Sequence, residues 1–221
     1  MLKAAICGGS GYTGGELIRL LSTHPYVKIA AVTSEKSSGK TVSYLFPHLS
    51  NHSNLTYEPL DREKLLKKAD IFFLALPHAA SQSAVDFFFR HGKKVIDLSA
   101  DYRLRSAEIY EEWYKTPHKF HGTLKRAVYG LPELYRAKIA KSSLIANPGC
   151  YPTGAILGLY PAMKTRLIDA DSIVIDSTSG TTGAGRNADI AFAFCEVNEG
   201  FKAYSVASHR HTPEIEQELS A

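Results

Sequence analysis

A glycine signature near the start of the chain constrains the fold more than any other feature. Leu2–Cys7 is an apolar run of strand length, Gly9-x-Gly11-x-x-Gly14 follows at once, and Leu17, Ile18, Leu20 and Leu21 then recur with helical spacing. Three glycines alone are weak evidence. Between a strand and a helix each one serves a distinct need, namely the tight turn, the close approach of backbone to a pyrophosphate, and the packing of helix on strand. The segment predicts a βαβ unit whose helix N-terminus receives phosphates at Ser10, Tyr12 and Thr13. A ligand-free glycine turn is the plain alternative.

Downstream, strand patterns at 27–32, 71–76 and 95–98 alternate with helical patterns at Arg62–Lys68 and 80–89. This alternation predicts a doubly wound, mostly buried parallel sheet. Residues 39–54 show no periodicity and are expected to cross the surface as a long excursion. After the second strand an NAD site would place an acid on the ribose 2′-hydroxyl, whereas this chain has Thr33, Ser34, Glu35, Lys36, Ser37, Ser38, Gly39 and Lys40. Hydroxyls and lysines suit a 2′-phosphate, with Ser34 and Lys36 as candidates, and Glu35 keeps the ribose-acid reading open. Polar residues cluster at two further strand ends: Pro77 and His78 after one, Ser99, Asp101, Arg103 and Arg105 after the other. Ligands of such sheets bind at these ends, so Pro77, His78 and Ser99 are cofactor candidates and Arg103 a substrate candidate. The aromatic stretch 110–129 gives no clear pattern.

A chain of 221 residues is long enough for a sizeable core, and no apolar stretch approaches the roughly 20 residues that span a bilayer. Met1-Leu2-Lys3 runs straight into the first strand, leaving no room for a signal peptide. Cysteines 7, 150 and 195 cannot all pair and lack metal-ligand spacing, which suits a reducing cytoplasm and no metal. A net charge of +4 without a basic run argues against nucleic acid and suits a small anionic partner.

A second group of chemical residues follows. The apolar run at 144–146 and the helical pattern after Gly149 place Cys150 where a strand gives way to a helix. Unpaired amides and the positive dipole end there favour the thiolate, the form that attacks carbonyls. Most free cysteines are small buried hydrophobes, so this position alone leaves both readings standing. A domain boundary is expected here, giving segments 1–149 and 150–221. In the second segment, 172–177 and 202–208 have the look of strands of another sheet, separated by Ser179-Gly180-Thr181-Thr182-Gly183-Ala184-Gly185-Arg186. That loop combines backbone amides, hydroxyls and a guanidinium, a set suited to an oxyanion, although a mobile surface loop would look alike. Ser208-His209-Arg210-His211-Thr212-Pro213-Glu214 closes the series. Imidazole is the natural proton partner of a thiol, and alternation on an extended strand would let only one of His209 and His211 reach it.

These stretches, with Asp97-Leu98-Ser99-Ala100-Asp101-Tyr102-Arg103-Leu104 and above all Asn147-Pro148-Gly149-Cys150-Tyr151-Pro152-Thr153, resemble the N-acetyl-gamma-glutamyl-phosphate reductase family of arginine biosynthesis, within the aspartate-semialdehyde dehydrogenase-like group. The resemblance runs the whole length, in order. It implies an α/β fold: a Rossmann-type doubly wound sheet followed by an α+β catalytic and oligomerisation domain. It further implies cytoplasmic NADP(H)-dependent reduction of an acyl phosphate, with inorganic phosphate released, by a homo-oligomer. Cys150 carries over as nucleophile and His209 as acid/base; Ser179, Gly180, Arg186, His211 and Glu214 are the candidates for the substrate side. Two departures stand out: Ala79 follows His78 where the family has glycine, and the chain stops at Ala221 where the family continues, so the second domain is expected to be incomplete. The competing readings are an aspartate-semialdehyde-type enzyme and a non-catalytic NADP-binding protein.

Overall fold

The computed structural model describes residues 1–50 and 54–220. The chain divides into two compact units, Met1–Pro148 and Gly149–Ala221.

The first unit is a parallel sheet with helices on both faces. Its elements are β1 (Leu2–Cys7), α1 (Tyr12–Ser22), β2 (Val27–Thr33), α2 (Val42–Leu45), α3 (Arg62–Lys68), β3 (Ile71–Leu74), α4 (Ser81–Arg90), β4 (Lys94–Asp97), α5 (Ala107–Tyr114), α6 (His121–Leu124), β5 (Val128–Tyr129), α7 (Pro132–Lys141) and β6 (Leu144–Ala146). The strand order is β2-β1-β3-β4-β6-β5, every pairing parallel. β1 is covered on both faces, which is why its apolar run is unbroken: Ala4 and Ile6 enter one core, Ala5 and Cys7 the other. Phe72 of β3 stacks on Phe88 of α4 with centroids 3.9 Å apart. Because β2 and β3 lie on opposite sides of β1, the strand order reverses there and opens a crevice at the carboxyl ends of β1 and β3.

Two features depart from the expectations. The excursion at 39–54 is not superficial: Val42, Phe46 and Leu49 are buried in the core on the α1 side. A Cβ on Gly15 would meet the Phe46 ring at 2.7 Å, so that ring rests directly on α1. Positions 51–53 of that stretch lie outside the described residues. The aromatic stretch 110–129 supplies the end of α5, all of α6 and β5. The hydroxyl of Ser106 caps α5 by accepting from the Ile109 amide, and Lys115 ends it in the left-handed region at φ 55°.

The second unit opens with α8 (Cys150–Lys164) and closes with α10 (Thr212–Leu219), which packs on it. Between them lie short 3-10 turns and the one-turn helix α9 (Phe194–Val197). The strands expected at 172–177 and 202–208 are absent among the described residues. A strand exists only through its ladder, and no described segment of this unit pairs with either stretch. Their side chains stay exposed as a result, Val174 at 91% and Val206 at 78%.

Candidate active site

In the first unit, the glycine turn joins β1 to α1. A Cβ on Gly9 would lie 2.1 Å from Val32 Cγ1, and one on Gly14 would lie 2.5 Å from Gly8 O and Gly9 Cα, so both glycines are demanded by internal packing. At Gly11 the nearest atom to such a Cβ is Gly8 O, 3.9 Å away. The protein leaves that space open at the N-cap of α1, where no side chain caps the helix. A cradle of this shape, bounded by Ser10, Tyr12 and Thr13 on a helix N-terminus, fits a dinucleotide pyrophosphate.

The loop after β2 is tied to this turn. Ser34 Oγ donates to Ser10 Oγ at 2.8 Å and accepts from the Ser37 amide, so Ser34 is buried and fixes the loop. Glu35, the one candidate ribose acid, accepts from the Leu60 amide at 2.9 Å. Lys36 is exposed beside it, and Lys40 Nζ sits 4.3 Å from the Tyr44 ring centroid. The carboxylate is thus engaged while cations line the loop, an arrangement suited to a 2′-phosphate.

The β3 and β4 ends form the neighbouring wall. Gly8, with φ +88°, approaches Ala75 so closely that a Cβ would lie 2.3 Å from the Ala75 carbonyl oxygen. From there the chain turns through exposed Pro77 and His78 to Ala79, a non-glycine residue at φ 66°. His78 Nδ1 accepts from the Ala100 amide at 3.0 Å. Ser99 and Arg103, both expected to face ligand, make internal hydrogen bonds here. Ser99 is buried, donating to Asp97 Oδ2 and accepting from the Asp101 amide. Arg103 Nε donates to Asn147 O and Nη2 to Leu98 O, bracing the chain beyond β4 against that beyond β6. Backbone carbonyls are strong acceptors, and a buried guanidinium is retained where it satisfies them.

Asp97 is fully buried and accepts from the Ser81 and Ser99 hydroxyls. Burial lifts its carboxyl from 3.8 to about 6, against the pull of those donors. The folded chain therefore binds this proton more tightly than the unfolded one. The stabilisation is complete below the unfolded value of 3.8 and is lost as pH rises through about 6. A 13C titration of the Asp97 carboxyl should have its midpoint near 6. A midpoint back at 3.8 would mean that the donors fully compensate burial.

The second unit holds the thiol group. Cys150 is exposed at the first position of α8, behind N-cap Gly149. Cys7 is its opposite: burial pushes that thiol up to about 12 and makes it inert. The Gly149 amide donates to Glu214 Oε1 at 2.8 Å, and Glu214 is buried in the first turn of α10. Glu214→Ala leaves that amide without this acceptor, at a cost of about 1–3 kcal/mol, and should accelerate amide exchange at Gly149 by roughly ten- to hundredfold. Glu214→Gln keeps an oxygen and should exchange more slowly than the alanine variant. Equal exchange in all three proteins would mean that the tie holds nothing.

His209 and His211 are not on a strand, and they do not face apart. His209 Nδ1 accepts from the His211 amide at 3.1 Å, closing a tight turn ahead of α10. Their rings lie 4.8 Å apart, and both meet Tyr151, the neighbour of Cys150, at 5.3 and 5.7 Å. Burial, helped by the Arg210 charge, holds His209 below the usual histidine range, so it is neutral at pH 7. Tyr204 completes the group, its hydroxyl 2.7 Å from that of Tyr151 and its ring 5.5 Å from His209. Burial and the Tyr151 hydrogen bond raise Tyr204 to about 12, and the Cys150 charge adds to this. Tyr151 was legible only as a member of the stretch 147–153, and Tyr204 had no sequence signal, since its irregular backbone carries no periodicity. The loop with Ser179, Gly180 and Arg186 is exposed, with Gly185 at φ 79°.

Residues 3–142 match the family model described as semialdehyde dehydrogenase, NAD binding domain, and residues 150–221 match semialdehyde dehydrogenase, dimerisation domain. The chain belongs to the semialdehyde dehydrogenase family. Curated relatives named N-acetyl-gamma-glutamyl-phosphate reductase include that of Desulfotalea psychrophila, 56% identical over 99% of this chain and 63% of its own length. That of Citrifermentans bemidjiense is 55% identical over 100% of this chain and 64% of its own. That of Moorella thermoacetica is 51% identical over the same shares. The chain thus spans about 64% of the length of these relatives. Among solved structures, aspartate semialdehyde dehydrogenase with NADP from Candida albicans superposes with a TM-score of 0.54 at 18% identity, over 74% of this chain and 47% of that one. Aspartate semialdehyde dehydrogenase II from Vibrio cholerae gives 0.52 at 20% identity over the same shares. At such identities the likeness shows the shared semialdehyde dehydrogenase fold. Among the described residues, no helix of this family member is long and apolar enough to cross a membrane.

Proposed function

We propose that this chain carries the activity of an N-acetyl-gamma-glutamyl-phosphate reductase: NADPH-dependent reduction of N-acetyl-L-glutamyl 5-phosphate to the 5-semialdehyde with release of phosphate, in cytoplasmic arginine biosynthesis. The observation that carries the reading is the exposed Cys150 on a helix N-terminus, with a neutral histidine packed on its neighbour Tyr151. The names of relatives more than half identical in sequence supply the substrate.

Gly9, Ser10, Gly11, Tyr12, Thr13 and Gly14 would hold the pyrophosphate, the Lys36 loop the 2′-phosphate, and Pro77 and His78 the far half of the dinucleotide. When bound, NADPH supplies the hydride that the acyl carbon needs. Neutral His209 takes the thiol proton, and Cys150 Sγ attacks the acyl carbon. The C–S bond forms as the C–O bond to phosphate breaks, so phosphate leaves with the electron pair and the proton. The first-turn amides of α8 steady the oxyanion that develops. Once the acyl carbon is reduced, collapse of the tetrahedral oxyanion expels the thiolate, which a solvent proton restores through His209. Arg186, Ser179 and Gly180 are the groups assigned to the substrate anion; His211 would face the substrate, and buried Glu214 would act on that side through the Gly149 amide it holds. The exposed apolar side chains of Val174, Phe194, Phe201 and Val206 lie in the stretch matching the dimerisation model, which supports a homo-oligomer.

The test is reduction of NADP by N-acetylglutamate semialdehyde, followed at 340 nm. Reduction that requires phosphate is the expected result. Equal turnover of aspartate semialdehyde would move the enzyme to the other branch of the family. Binding of NADP without turnover, together with a Cys150 no faster to alkylate than a free peptide thiol, would make it a non-catalytic binding protein.

A further inference from the structure

We propose that Asp101 is a positioning residue of the dinucleotide site, holding the His78 turn in place from beneath. This inference rests on the reading of that turn as part of the cofactor wall. Asp101 is wholly buried, and three donors converge on its carboxylate: the Ala79 amide at 2.8 Å and the Tyr110 hydroxyl at 2.6 Å on Oδ1, and the Gln82 amide at 3.0 Å on Oδ2. Helix α4 has no side-chain cap of its own at Ala80, so a carboxylate from beyond β4 serves the first-turn amide of Gln82.

The same carboxylate reaches His78 by two routes. Through the Ala79 amide it holds the next residue in the left-handed region at φ 66°, which a side chain rarely adopts. Through Tyr110 it acts on the imidazole itself: Tyr110 stacks on Tyr114 at 4.8 Å and 11°, and the Tyr114 ring meets His78 edge-on at 5.6 Å. The amide of Ala100, just before Asp101, donates to His78 Nδ1, which places the imidazole proton on Nε2. A buried acid thus holds the backbone that carries an exposed imidazole, and the amide of its neighbour Ala100 sets that imidazole's tautomer. The network has the form of a support that orients a binding group.

The experiment uses the full chain, with NADPH as the probe, and reads two quantities: NADPH affinity by fluorescence titration, and the His78 tautomer by long-range 1H–15N correlation. Asp101→Asn puts an amide group where a donor must be accepted. It is expected to replace the single Nε2–H pattern of His78 by a mixed one and to weaken NADPH binding roughly tenfold. Tyr110→Phe keeps the ring stack and removes only the hydroxyl, so it should move both readouts the same way by less. Leu65→Ala, a core truncation elsewhere in the unit, should lower thermal stability and leave both readouts alone. A folded Asp101→Asn protein with an unchanged His78 pattern and unchanged affinity overturns the proposal, as would Leu65→Ala reproducing its effects. Where Asp101→Asn does not fold, Tyr110→Phe decides in the same way. If the wild-type chain fails to bind NADPH, the cofactor reading falls by itself, and the tautomer arm still judges whether Asp101 holds His78.

Discussion

Replacing Cys150 by serine is expected to lower phosphate-dependent NADP reduction by about a thousandfold or more, with NADPH affinity unchanged. Sulfur is the stronger nucleophile and gives its proton up to an imidazole base, whereas a serine hydroxyl holds its proton far more tightly and attacks far more slowly. The thiol and the glycine turn also belong to separate compact units, so the substitution leaves the dinucleotide cradle untouched. Two measurements on one preparation decide it: the rate at 340 nm and the NADPH dissociation constant. Turnover retained within tenfold of the wild type would remove the thioester from the mechanism. Lost affinity alongside lost turnover would mean that Cys150 matters for folding, the bland role of a free cysteine. Cys7 cannot substitute for it, because burial keeps that thiol protonated and out of reach.

Much of the first unit was legible because its physics is local. An unbroken apolar run reads as a strand covered on both faces, and Arg62–Lys68 reads as a helix because Asp61 caps it and lysines close it. The stretch at 39–54 misled for an identifiable reason. Val42, Phe46 and Leu49 have helical spacing, but Pro47 breaks the helix, so the short elements that bury them escape a periodicity search. The error over 172–177 and 202–208 is of another kind. Short apolar runs rich in β-branched residues, such as Ile173-Val174-Ile175, state that a strand is possible, and only a pairing partner makes one. The two histidines show the same limit at smaller scale, since the hydrogen bond from the His211 amide to His209 Nδ1 overrides the alternation that an extended backbone would impose. Asp101 was visible as a polar residue at a strand end. Its three donors come from residues 79, 82 and 110, and no spacing rule connects those positions.

The second large effect separates two glycines of one motif. At Gly14 a Cβ would press on backbone, 2.5 Å from Gly8 O and Gly9 Cα, and backbone cannot rotate away as a side chain can. Gly14→Ala must lift α1 off the turn, at a cost of about 3 kcal/mol or more, a large share of the 5–15 kcal/mol that holds a typical domain. The first unit should therefore melt well below the wild type or fail to fold. At Gly11 the nearest obstacle is 3.9 Å away and the backbone is ordinary, with φ −78°, so alanine fits the protein itself. Its methyl group fills the space left for the pyrophosphate instead, and NADPH affinity should fall roughly tenfold or more while the melting temperature stays close to that of the wild type. Thermal melts paired with NADPH titrations separate the two. Unchanged affinity in Gly11→Ala would mean that the open space at the N-cap of α1 is not a phosphate cradle. An unchanged melt in Gly14→Ala would mean that the helix has room to move, and that close packing of helix on strand is not what this third glycine provides.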